Sequence, residues 1–409
     1  MSRAPVSGSR LLDTRSPGRT NRSPRHCEAL LLTTVLCHSV STEKPWGSFA
    51  LSRTHLLITA GHVVAATTLL GAWTAGAQSV PRLQRIAVIG CAACGGSAEF
   101  SEIADVAVTT SGVVWIADRD DPRIRTFTLK GVSLRSFGRK GRGPGEFAGI
   151  ERLLPATDGT VSIVDMLAQR VTRVDSLGKV VASASIDGFP LDADAPMGSR
   201  DIHVLHSRFR PGTSSIARLD ALHGRWRTVL GPFTDFPRVD APREVRSLAV
   251  APDGTIAVAE GESEYRIRTY STTGVSRDVT RNVPRKQRTP AEMETLRSRI
   301  GRGGDMRASE GDRSGGSTGR GPADIPSLKG HLIWSALRYD TAGRLWVRTM
   351  RGDETKTIFD LFDQSLSYVG EVTVSGDVTR YAFRDGYLVT AALSVDGFAQ
   401  ATVWRVTER

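Results

Sequence analysis

Residues 105–147 read DVAVTTSGVVWIADRDDPRIRTFTLKGVSLRSFGRKGRGPGEF, and the chain beyond it is organised as copies of this stretch. Val106 and Val108 alternate before Ser111-Gly112 turns the chain. Val113 to Ala117 and Ile124 to Leu129 read as two further strands, Lys130-Gly131 turns again, and Val132 to Phe137 is a fourth. Short apolar runs bounded by turn residues at this spacing describe an antiparallel sheet. One four-stranded sheet buries too little surface to stand alone, so it requires copies of itself.

The glycine of the first hairpin finds the copies. Gly112 is followed by VVWIAD, Gly159 by TVSIVD, Gly254 by TIAVAE, Gly343 by RLWVRT and Gly386 by YLVTAA. The steps are 47, 95, 89 and 43 residues. The 95-residue step leaves room for a degenerate copy at 198–236, and the 89-residue step holds one copy plus an insertion at 284–330. Six units result: 103–147, 150–189, 198–236, 247–283, 331–374 and 377–407. The last has room for three strands only, and the orphan segment Leu83 to Ile89 supplies the fourth. The expected fold is all-β, a six-bladed β-propeller of four-stranded antiparallel blades, its ring closed by an N-terminal strand joining the last blade.

Asp118 is followed five residues later by Arg123, and Asp165 five later by Arg170. Because the pairs recur with the repeat, they read as structural: a carboxylate capping the turn between second and third strands, and an arginine lying across neighbouring blades. With these residues in view, IADRDDPRIRTF (116–127) and the connector FGRKGRGPGEF (137–147) resemble the NHL-type six-bladed propellers, over about residues 83–409. The resemblance implies an exported bacterial propeller of a kind mostly without assigned activity, acting as a ligand- or protein-binding module. Analogy with propeller lactonases and peptide-amidating lyases implies the alternative, a metal-dependent hydrolase or lyase at the central channel.

Residues 55–77, HLLITAGHVVAATTLLGAWTAGA, are apolar and end in Ala75-Gly76-Ala77, a small-residue pattern before Gln78. With Arg53 ahead of it, residues 51–77 read as a signal peptide or, uncleaved, a membrane anchor. The expected location is therefore periplasmic, extracellular or membrane-anchored. Residues 1–50 are Arg-, Ser- and Pro-rich and read as a disordered or mis-annotated extension, with translation starting near Leu51. The net charge of +11 is unevenly spread: residues 1–77 carry eight Lys/Arg against three acids, leaving 46 basic and 40 acidic residues beyond. That balance is too mild and dispersed for nucleic acid. A monomer is expected.

The insertion opens with Thr289-Pro290-Ala291-Glu292, a capping box with Pro at the first helical position, predicting a helix over about 290–300. The glycine-rich run that follows reads as a disordered loop, either a lid over one mouth of the propeller or a tolerated insertion.

Cys91 and Cys94 form a CxxC. The other two cysteines, Cys27 and Cys37, precede the expected cleavage point, so no second pair completes a four-thiolate zinc site in the mature chain. A local disulfide pinning the closing strand is the leading reading, with free thiols or a covalent attachment as the others. The glycines at 138, 141, 143 and 145 lack the dinucleotide spacing and open no helix, so they read as a blade connector. His203 and His206 lie three apart in an expected strand and point to opposite faces, which sets them against sharing a metal. The candidates for lining the channel are Glu151, Arg152, Asp201 and His203. The sequence calls for no cofactor and no resident metal; a divalent cation in the channel is what the enzymatic alternative requires.

Overall fold

The computed structural model describes residues 79–90, 98–207, 214–220, 224–233, 247–259, 264–274, 276–294, 297, 327–394 and 396–408. The readings made for 1–77, for Cys91 and Cys94, and for the glycine-rich run at 301–326 lie outside the described residues.

Twenty-four strands form six four-stranded antiparallel sheets among the described residues, and the expected propeller is what they make. Blade 1 is β2 (Ile103–Val108), β3 (Val113–Asp118), β4 (Ile124–Thr128) and β5 (Ser133–Phe137). Blade 2 is β6 (Ile150–Pro155), β7 (Val161–Asp165), β8 (Arg170–Val174) and β9 (Val180–Ser185). Blade 3 is β10 (Phe189–Asp194), β11 (Ile202–Ser207), β12 (Ser214–Asp220) and β13 (Arg225–Phe233). Blade 4 is β14 (Ser247–Val250), β15 (Ile256–Ala259), β16 (Arg266–Tyr270) and β17 (Ser276–Thr280). Blade 5 is β18 (Leu332–Tyr339), β19 (Leu345–Thr349), β20 (Lys356–Phe362) and β21 (Tyr368–Ser375). Blade 6 takes β22 (Val378–Arg384), β23 (Tyr387–Leu393) and β24 (Ala399–Thr407) from the C-terminus, and β1 (Arg82–Ile89) from the other end of the chain.

The first strand of each blade touches the first strands on either side, β2 to β6 to β10 to β14 to β18 to β22 and back to β2. These six strands therefore surround the axis. Their inner edges carry no sheet partner, whereas both of their faces press on neighbouring blades. Burial follows: β2, β3 and β7 are buried at nearly every position, while β5, the outermost strand of blade 1, is mostly exposed. Six apolar clusters fill the six blade interfaces. Trp115 of blade 1 packs with Leu153 and Ile163 of blade 2, and Trp346 and Phe359 of blade 5 pack with Tyr381 and Leu388 of blade 6.

Ring closure pairs Leu83 with Val406, Gln84 with Arg405 and Ile89 with Ala401. Arg344, in the first hairpin of blade 5, reinforces it: Nη1 and Nη2 each donate at 2.8 Å to the carboxylate of Glu408, and Nη1 reaches the carbonyl of Ser79 at 3.4 Å.

The repeated hairpin glycine has a physical basis. In blades 1, 2, 4 and 5 the residue three before it accepts its N–H, and that same residue donates to the carbonyl one position beyond it; Thr109 to Val113 and Asp340 to Arg344 are examples, both at 3.0 Å. The turn puts the glycine in the left-handed region, at φ +72° for Gly112 and +74° for Gly343, where a Cβ is strained.

Blade 3 departs from the sequence reading, which began it at 198. Its first strand is β10, FPLDAD, with a long connection at 195–201 in place of the tight hairpin. Pro190 and two acids disguise the strand. As an inner edge strand, bonded only to β11, β10 tolerates the missing proline N–H. The capping box forms as expected: Thr289 N–H donates to Glu292 Oε2 at 2.8 Å, and Glu292 N–H to Thr289 Oγ1 at 3.2 Å, over a helical turn at 290–294.

Candidate functional site

The axis is lined by charge. The first strands contribute Asp105, Glu151, Arg152, Asp192, Asp194, Arg338, Arg380 and Arg384, all buried. Arg152 is central: Nε donates to Asp192 Oδ1 at 2.8 Å, and Nη1 lies 3.4 Å from Asp105 Oδ1. Three carboxylates also reach forward to the next blade along the ring. Asp105 Oδ2 accepts the N–H of Leu153 at 2.8 Å, Asp192 Oδ2 that of Leu248 at 2.9 Å, and Asp194 Oδ2 that of Val250 at 2.8 Å. Ser247 Oγ plays the same part for Leu337 N–H at 3.0 Å. An acceptor side chain on one inner strand thus satisfies the unpaired inner-edge N–H of its neighbour, which sheet pairing leaves open. At the other end of the channel Arg380 donates to Glu151 Oε1 at 2.9 Å. Nearby, burial and the Arg380 guanidinium lower the pKa of Arg348.

Asp192 and Asp194 lie two apart on β10, and their acidities move in opposite directions. Burial raises both. At Asp192 the guanidinium of Arg152, with Arg338 and the Leu248 N–H, overcomes burial and holds the carboxyl below its ordinary value. Asp194 has no arginine in contact among the described residues, and burial wins: its pKa is raised.

Asp194 faces a cavity of about 70 Å³ at the hairpin end of the channel, lined from all six first strands and from the 195–198 segment of the long blade 3 connection. Arg338 and Arg384 stand in its wall. Arg338 Nη1 donates to the carbonyls of Leu248 and Leu337 at 3.1 and 2.7 Å. Arg384 is 4% exposed, its Nε has no hydrogen-bond partner, and the nearest carboxylate oxygen, on exposed Asp385, is 3.6 Å away.

The residues singled out in the sequence separate into groups. Glu151 and Arg152 lie on the inner strand β6. Asp201 and His203 do not reach an inner strand, because β10 takes that place in blade 3. Asp201 precedes β11 and accepts from Arg218 Nε at 3.0 Å at the surface. His203 and His206 sit on β11, both buried. Burial, with Arg218 nearby, lowers His203 to about 4.

Asp165 accepts the N–H groups of Ala148, Gly149 and Ala168 at 2.7, 3.0 and 2.8 Å, holding both the turn after β7 and the entry to β6. Asp118 does the same for Ser101 N–H at 3.2 Å and Asp120 N–H at 3.2 Å, and pairs with Arg125 Nη1 at 3.0 Å. Arg170 crosses to blade 1's connector, donating to the carbonyls of Arg142 and Glu146 at 2.8 Å each. Arg123 is half-exposed beside Asp121.

Sequence reasoning missed Asp192, Asp194, Arg338, Arg380 and Arg384. A signal existed: charge at aligned positions of inner strands, as in DVAV (105–108) and RLLP (152–155). Among the described residues no three His, Cys, Asp or Glu side chains converge to hold a metal ion, and no helix is long and apolar enough to cross a membrane.

Fold and site define a β-propeller with a charged axis and a small cavity at one mouth. No protein-family model matches the chain, and no curated protein does. Solved structures do. A DUF4221 family member from Bacteroides vulgatus matches with TM-score 0.52 at 8% identity, over 81% of this chain and 99% of that one. A calcium-binding protein, regucalcin, from Agrobacterium tumefaciens gives TM-score 0.43 at 13% identity, over 77% and 94%. Virginiamycin B lyase from Staphylococcus aureus gives 0.42 at 12%, over 81% and 100%. At such identities the likeness is one of fold.

Proposed function

We propose that this chain is an exported, NHL-like propeller that works as a ligand-binding module, with its site in the cavity at the hairpin mouth of the channel. The observation that carries this reading is the contrast between axial arginines that are hydrogen-bonded to carboxylates and arginines at the cavity that are not. Asp105, Asp192 and Glu151 are each engaged by an arginine. At the cavity two buried guanidinium groups, Arg338 and Arg384, have no hydrogen-bonded carboxylate among the described residues. A buried charge left in that state is costly unless something completes it. The sequence supports export through residues 51–77, and IADRDDPRIRTF supports the NHL-like ancestry.

Metal content separates this reading from a metal-dependent hydrolase or lyase. The purified protein is expected to carry no stoichiometric Ca²⁺ or Zn²⁺ and to show no thermal shift with either ion. Stoichiometric metal that is lost in Asp194→Asn would replace the binding module with the enzyme.

A further inference from the structure

We propose that the cavity takes the carboxylate of a small organic acid, gripped by Arg384 of blade 6 and Arg338 of blade 5. The inference deepens the binding-module reading and rests on it. Charge sets the sign of the ligand. The cavity wall holds the guanidinium groups of Arg338 and Arg384 and the carboxyls of Asp105 and Asp194; Asp105 is engaged by Arg152 and the Leu153 N–H and Asp194 by the Val250 N–H, which leaves the two guanidinium groups as the charge open to an anion. The raised pKa of Asp194 lessens its opposition to an anion.

Hydrogen bonding sets the chemistry. Arg384 keeps a buried Nε–H without a hydrogen-bond acceptor, the Asp385 carboxylate lying 3.6 Å away. A carboxylate accepts from a guanidinium edge in bidentate fashion and removes that deficit. Arg338 is already held by two carbonyls, which orient it and leave its charge standing. The Arg384 guanidinium lies beside Gly198, where an added Cβ would come within 3.4 Å of its Nη2. Size sets the limit. About 70 Å³ admits a few waters or one short acid and excludes a drug-sized molecule.

The test is a thermal-shift titration of the full chain with sodium acetate, with acetamide, and with sodium chloride at matched ionic strength. Acetate is expected to raise the melting temperature saturably, while acetamide and chloride leave it unchanged. Arg384→Met should weaken the acetate response about tenfold or more, Arg384→Lys should retain part of it, and the surface variant Arg218→Met should keep it. An equal response to acetate and acetamide overturns the inference, and this comparison needs no variant to fold. Crystals soaked in acetate, acetamide and neutral fragments locate the site. A neutral fragment in the cavity without acetate overturns the carboxylate and leaves the binding site standing. An empty cavity with no acetate response overturns both.

Discussion

Arg152 of blade 2 donates from Nε to Asp192 of blade 3 at 2.8 Å, with both side chains almost fully buried. The same guanidinium faces Asp105 of blade 1 at 3.4 Å. One arginine therefore bridges carboxylates from both neighbouring blades, and those carboxylates in turn cap N–H groups on β6 and β14.

Arg152→Met should therefore strand two buried carboxylates. The expected loss is about 3–5 kcal/mol of unfolding free energy, read as a lower urea midpoint by tryptophan fluorescence. Replacing Arg152 by Met together with Asp105 and Asp192 by apolar residues should recover part of it. A single variant within about 0.5 kcal/mol of wild type would show that the pair contributes little.

Acidification should unfold the protein in part through His203. Its folded pKa is lowered to about 4 from an unfolded value of 6.5. Between those values the unfolded chain binds the proton and the folded chain does not, so the contribution is full above pH 6.5 and falls as pH drops towards 4. At its upper end the contribution is about 3 kcal/mol. Urea midpoints at pH 7 and pH 4.5 should fall further for wild type than for His203→Phe; parallel slopes would remove His203 as the cause.

Closure by β1 predicts that deleting residues 79–90 abolishes cooperative melting. The deletion exposes β24 along its length and removes Ile89 from the interface of blades 6 and 1. Calorimetry of the truncated chain decides it: a single native-like transition would show that the ring holds without its closing strand.

Two glycines give a matched pair. Gly159 and Gly178 have nearly equal φ, +82° and +85°, but a Cβ on Gly159 meets nothing within 4 Å while one on Gly178 lies 2.4 Å from the Phe137 ring. Phe137 stacks edge-on against Trp115 at 5.2 Å. Gly159→Ala should cost about 1 kcal/mol from backbone strain alone. Gly178→Ala should cost a further 1–3 kcal/mol, approximately, from displacing that ring. Equal melting temperatures for the two variants would contradict the packing argument.

The individual blade is legible in the amino-acid sequence. Hairpin glycines, short β-rich runs and the spacing between them are local features, because a turn needing positive φ and a strand needing a buried face each act over a few residues. They were enough to place five of the six blades, the closing strand and the capping box at 289–292. The contacts where neighbouring blades meet are not legible in the sequence. Asp192 and Asp194 sit in a strand whose proline and acids are acceptable only because it lines an axis, with Arg152 from one blade and backbone N–H groups from the other to receive them. Arg338 and Arg384 are 46 positions apart in sequence, yet they share one cavity wall. Charge pairing across a ring is a non-local property, and no single repeat contains it.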